Sequence, residues 1–175
     1  MDTLRALTAK REISVAELEE RVGSANFGRV RDVTTMLIDR LNTKYDLKIG
    51  CYIIGSTTYC LEDYERCCQK VTTDKDVFYN DIDVIASGSL PTDFVDNVLS
   101  DLKFPGIRSI QKLSILEPQG RRGSLYVPYG RPNTKLLFEE GLPIHLIMGE
   151  KPYVDLIQRE RLINAPFCEL FTKLD

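Results

Sequence analysis

IIGSTTY (residues 53–59) and NDIDVIASG (residues 80–88) decide how this 175-residue sequence is read. The first is an apolar run that reaches Gly55-Ser56. The second carries Asp81 and Asp83 with Ile82 between them. In a strand, residues two apart share a face, so the two aspartates present their carboxylates side by side while Ile82 and Val84 turn into a core. Two carboxylates that close repel unless a cation lies between them. Oxygen ligation of this kind suits Mg2+ or Mn2+, which take substrate phosphates and waters as remaining ligands. Two such ions about 4 Å apart can activate a hydroxyl and stabilise departing pyrophosphate. A glycine at the strand end lets backbone N–H groups approach a triphosphate, and the Ser56 hydroxyl can donate to it. Gly-Ser alone is unspecific; Gly-Ser followed by Asp-x-Asp in two apolar strands is more specific. The competing reading is a turn followed by an edge strand with two solvated aspartates, but the residues after Asp83 are too apolar for a typical exposed edge. Asp74 and Asp76, in TTDKDVF, have polar neighbours and read as loop. No Gly-x-Ser-x-Gly or Walker-type phosphate loop is present.

Around these motifs the pattern is helical at the start and strand-rich in the middle. Ser14-Val-Ala-Glu17 fits a capping box, with Glu17 reaching back to the cap. Gly23 to Asn26 breaks that helix. A second helix over 26–45 places Phe27, Val30, Val33, Leu37, Ile38 and Leu41 on one side at spacings of three and four. Residues 47–54 read as a buried strand, 61–70 as a helix, 81–86 as a strand, and 92–102 as a helix capped by Thr92. Strands follow over 107–116 and 124–127. Residues 134–139 and 142–148 form a hairpin across Glu140-Gly141. The tail, 153–174, reads as a helix broken near Pro166. The class is α+β, a mixed sheet with helices on one face. The expected division is a helical extension over 1–25, a main domain over 26–155 and a helical tail over 156–175.

Composition narrows the function classes. Apolar content of 43% and charged content of 28% are those of an ordinary globular chain that can bury a core. No apolar run approaches the roughly 20 residues a membrane helix needs, and the acidic opening Met1-Asp2 is unlike a signal peptide, so a cytoplasmic location is expected. A net charge of −3 argues against a large duplex-DNA footprint. The densest basic group is Arg121, Arg122, Arg131 and Lys135, with Tyr126 and Tyr129 between them; a solvated hairpin is the simpler account of it. Five cysteines without a Cys-x-x-Cys pair read as reduced thiols, since zinc on Cys60, Cys67 and Cys68 lacks the two paired spacings of structural sites.

The order apolar strand, Gly-Ser, then strand with Asp-x-Asp resembles the nucleotidyltransferase superfamily that includes DNA polymerase β. The residues that carry the resemblance are Ile53-Ile54-Gly55-Ser56 and 80–85. Residues 103–148 look like the rest of that palm, most of all that of the small family X polymerases of large DNA viruses. The likeness covers roughly residues 30–155. It implies that Asp81 and Asp83 bind Mg2+ or Mn2+, that Gly55 and Ser56 hold a nucleoside triphosphate, and that a nucleoside monophosphate passes to an acceptor hydroxyl on a nucleic acid or protein. Two departures stand out. The distance from Ser56 to Asp81 is about twice the family's, so an insertion fills 57–80. In LPIHLIMGEKPY (142–153), where the family carries a third aspartate, this sequence has His145, a poor magnesium ligand but a good one for manganese or zinc.

Three readings of His145 are open: a functional substitute acting as base or soft-metal ligand, a site completed by Glu139 or Glu140, or a degenerate site in which the histidine is structural. The expected function is metal-dependent nucleotidyl transfer. The alternative is a degenerate palm serving as a scaffold or binding subunit for a protein or nucleic acid. The family's polymerases place a thumb-like domain after the palm, and the roughly 25 residues that follow here suggest a minimal transferase rather than a processive polymerase.

Overall fold

The computed structural model describes residues 12–44, 49–58, 79–88, 103–113, 133–149 and 168–173. Among these residues two helices, α1 (Val15–Val22) and α2 (Ser24–Lys44), precede six strands: β1 (Ile49–Ile54), β2 (Ile82–Gly88), β3 (Ile107–Leu113), β4 (Asn133–Phe138), β5 (Ile144–Gly149) and β6 (Cys168–Lys173). A short 3-10 turn, Gly55–Thr58, follows β1. The strands form one sheet in the order β3-β4-β5-β2-β1-β6. Among the described residues the β2–β5 pairing is parallel and the other four pairings are antiparallel. The class is therefore α+β, as the pattern indicates.

The first helix begins where the sequence places it, and the second begins at Ser24, within the Gly23–Asn26 stretch read as a break. Ser14 caps α1 by accepting from the Glu17 N–H at 3.1 Å. The second half of the capping box does not form: the Glu17 carboxylate pairs with Arg21, one turn on and on the same face. Gly23, with φ +84°, ends α1. That left-handed backbone is open to glycine at little cost, which lets α2 start one residue later. Along α2, Phe27, Val30, Val33, Leu37, Ile38 and Leu41 are all buried. Thr34 lies among them with its hydroxyl satisfied by the Val30 carbonyl at 2.9 Å.

These side chains pack on one face of the sheet. With Leu18 and Val22 of α1 they form a cluster with Ile49, Cys51, Ile53, Ile82, Val84, Ala86, Leu136, Ile144, Leu146 and Cys168. The strand members recur every second residue, as the pleat requires. Burial pushes the Cys51 thiol up to about 12. It is a core side chain, not a reactive one. Asn26 ties the helix layer to the β4–β5 turn: its side-chain oxygen accepts from the Leu142 N–H at 2.9 Å.

One segment departs from its pattern. Residues 168–173 form a strand, β6, where helix is expected. The strand exists because β1 offers an edge: Ile53 pairs with Cys168 and Cys51 with Phe171, with a bulge between. Six residues carry too little periodicity to separate helix from strand, and here the partner decides. The expected helices over 61–70 and 92–102, the strand over 124–127 and the inserted segment beyond Thr58 lie outside the described residues, as do Cys60, Cys67 and Cys68.

Candidate metal and phosphate site

The aspartate-bearing strand is not an edge. β2 lies between β5 and β1, in the interior of the sheet. Ile82 and Val84 are buried beneath the helices, while Asp81 and Asp83, on the alternate positions, are partly exposed on the opposite face. This is the arrangement that period-two alternation predicts.

Register builds the rest of the site. In the parallel β2–β5 pair, Asp83 lies opposite His145. In the antiparallel β4–β5 pair, His145 lies opposite Lys135. In the β1–β2 pair, Ile54 lies opposite Asp83, so the chain leaves β1 beside the carboxylates and enters the Gly55–Thr58 turn. One row across the sheet therefore carries Ile54, Asp83, His145 and Lys135.

The side chains meet. His145 Nδ1 is 2.8 Å from Asp83 Oδ1, and the two side chains are only 16% and 23% exposed. Lys135 Nζ is 2.8 Å from Asp81 Oδ2. Asp81, Asp83 and His145 each offer one ligand atom, and these atoms lie within 4.8 Å of one another. Two carboxylates and an imidazole so spaced can hold a divalent cation, and the mixed oxygen–nitrogen set suits manganese better than magnesium.

Gly55 adjoins the same carboxylate. Its φ is +79°, and a Cβ there would collide with Asp83 Oδ2. The position thus requires glycine twice over, for its backbone conformation and for the space it leaves to Asp83. Ser56 is the next residue of the turn and is half-buried. Thr58 closes the turn by donating its hydroxyl to the Gly55 carbonyl at 2.7 Å. From the helix side, Arg21 donates to the Thr57 carbonyl at 3.2 Å and so braces the turn against α1.

Among the described residues no third carboxylate joins the group. Glu139 and Glu140 sit exposed on the β4–β5 turn, so the reading in which one of them completes the site is not upheld. Lys135, which the sequence groups with a basic patch, instead directs its ammonium at Asp81; the other members of that patch lie outside the described residues. A usable signal was present. A hairpin centred on Glu140 sets residue 135 opposite residue 145, and the alternation that buries Thr134, Leu136 and Phe138 turns Lys135 to the aspartate face.

No helix among the described residues is long and apolar enough to cross a membrane. No family model matches the sequence, and no curated protein matches it either. Among solved structures, the complex of a CCA-adding enzyme with ATP is similar at 17% sequence identity and a TM-score of 0.45, over 89% of this chain and 29% of that one.

Proposed function

We propose that this chain is a nucleotidyltransferase-like palm that binds a nucleoside triphosphate with Mn2+ or Mg2+ and transfers its nucleoside monophosphate to an acceptor hydroxyl. The observation that carries the reading is the convergence of Asp81, Asp83 and His145 beside Gly55, from strands whose order in the sequence does not place them together. Asp81 and Asp83 hold the ion, and Gly55 with Ser56 receives the phosphates on backbone N–H groups and a hydroxyl. A bound divalent ion supplies charge neutralisation for the phosphates and for the leaving pyrophosphate. Asp83 orients His145 through the contact between its Oδ1 and Nδ1, and the imidazole is the group that takes the acceptor hydroxyl's proton. The acceptor oxygen then bonds to the α-phosphorus as the bond to the pyrophosphate oxygen breaks.

A second reading is favoured by a different observation. Lys135 on Asp81 and His145 on Asp83 give each carboxylate a partner from the protein itself. A palm so balanced is at home as a non-catalytic scaffold or binding subunit for a protein or nucleic acid.

The two separate by experiment. Under the transferase reading, Mn2+ with a nucleoside triphosphate raises the melting temperature, the double substitution Asp81→Asn, Asp83→Asn removes the rise, and pyrophosphate is released when acceptor is supplied. A thermal shift without pyrophosphate release over a panel of RNA, DNA and protein acceptors assigns the second reading. No shift with any divalent ion and any triphosphate overturns nucleotide binding altogether.

A further inference from the structure

We propose that Lys135 is a resident cation of this site: it holds one oxygen of Asp81, so that the site takes a single divalent ion rather than two. This rests on the metal-dependent reading above and specifies its stoichiometry.

Lys135 is built into the site. It projects from the middle of β4, and its direct cross-strand neighbour is His145. Its ammonium nevertheless reaches Asp81, at 2.8 Å, with both side chains about three-quarters buried. The ammonium is in contact with Asp81 Oδ2, so an arriving cation must compete with it for Asp81.

The oxygen inventory gives the count. Asp81 Oδ2 accepts a hydrogen bond from Lys135, and Asp83 Oδ1 lies against His145 Nδ1, which leaves each of these oxygens less able to serve a cation. The oxygens outside these two contacts are Asp81 Oδ1 and Asp83 Oδ2. They are two, one from each carboxylate, and Asp83 Oδ2 is the atom that needs a glycine at position 55 beside it. Two ions sharing a site ordinarily bridge through both oxygens of at least one carboxylate, with a third acid to hold the pair. Here one candidate bridging oxygen carries an ammonium. A fixed positive charge within contact distance of the carboxylate also repels a second dication far more strongly than it would in bulk water. The same ammonium can offset phosphate charge once a triphosphate is bound, which is work a second ion would otherwise do.

The test is a titration of the whole chain with MnCl2, following free Mn2+ by electron paramagnetic resonance, first alone and then with a non-hydrolysable triphosphate analogue. The proteins are wild type, Lys135→Arg, Lys135→Met, and Asp81→Asn with Asp83→Asn as the blank. One ion per wild-type chain is expected, and one for Lys135→Arg, which keeps the charge. Lys135→Met, which keeps the length and loses the charge, should bind a second ion or bind the first about tenfold more tightly. Two ions on wild type would overturn the inference while leaving the metal-dependent reading intact. So would a Lys135→Met titration that matches wild type, or a gain in Lys135→Arg equal to that in Lys135→Met. No ion on wild type or on Lys135→Met would overturn both readings together. Should Lys135→Met fail to fold, the wild-type stoichiometry alone decides.

Discussion

The two faces of the central strands are made from alternate residues of the same short segments, yet they follow opposite rules. On the helix side, Ile82, Val84, Leu136, Ile144 and Leu146 are at most 1% exposed and packed against α1 and α2. On the other side, Asp81, Asp83, Lys135 and His145 are partly exposed and interact through charge and hydrogen bonds. Buried apolar area supplies most of the stability of a fold like this, at about 25 cal/mol per Å2, whereas partly exposed ion pairs supply little. The lesson is a division of labour: the helix face holds the strands in register, and the register delivers the charged side chains to one another. The charged face can then be tuned without unfolding the chain.

Three substitutions press on that division, in falling order of effect. Leu146→Ala removes a fully buried side chain from the helix face between His145 and Ile147. It should cost about 2–5 kcal/mol in chemical denaturation. Gly55→Ala lies at the boundary between the faces. Its positive φ and the collision with Asp83 should cost about 1–3 kcal/mol. It should also abolish the manganese-dependent thermal shift, because the carboxylate must move. Asp83→Asn touches the charged face alone. Its stability should stay within about 1 kcal/mol of wild type by the same denaturation measurement, since the pair it breaks is offset by relief of repulsion from Asp81. An Asp83→Asn protein less stable than Leu146→Ala would break the comparison, since the charged face would then be holding the fold.

Much of this was legible in the sequence because the signals are local. The three-and-four spacing of Phe27 to Leu41, the cap at Ser14 and the alternation through Asp81, Ile82, Asp83 and Val84 each need only a few neighbouring residues. The sharing of one face by Asp81 and Asp83 follows from the pleat alone. What was missed depends on partners distant in sequence. β6 is a strand because β1 offers it hydrogen bonds, which the six residues from Cys168 to Lys173 do not announce. Lys135 belongs with Asp81 only once β4, β5 and β2 stand side by side. The reading of Glu139 and Glu140 as stand-ins for the third acid failed for a geometric reason: they lie on the turn, beyond the end of the strand that carries the site.

The parallel pairing of β2 with β5 also sets an order of events. Asp83 and His145 are 62 residues apart in the chain, and Asp81 and Lys135 are 54 apart. Contacts of that span must await closure of long loops, whose entropy is lost before any contact rewards it. The α1–α2 pair and the β4–β5 hairpin can form from neighbouring residues, but a cation-competent cluster exists only once β5 has docked along β2. Ion capture during refolding should therefore be a late signal, trailing the appearance of helix. In a partly misfolded chain it would be among the first properties lost.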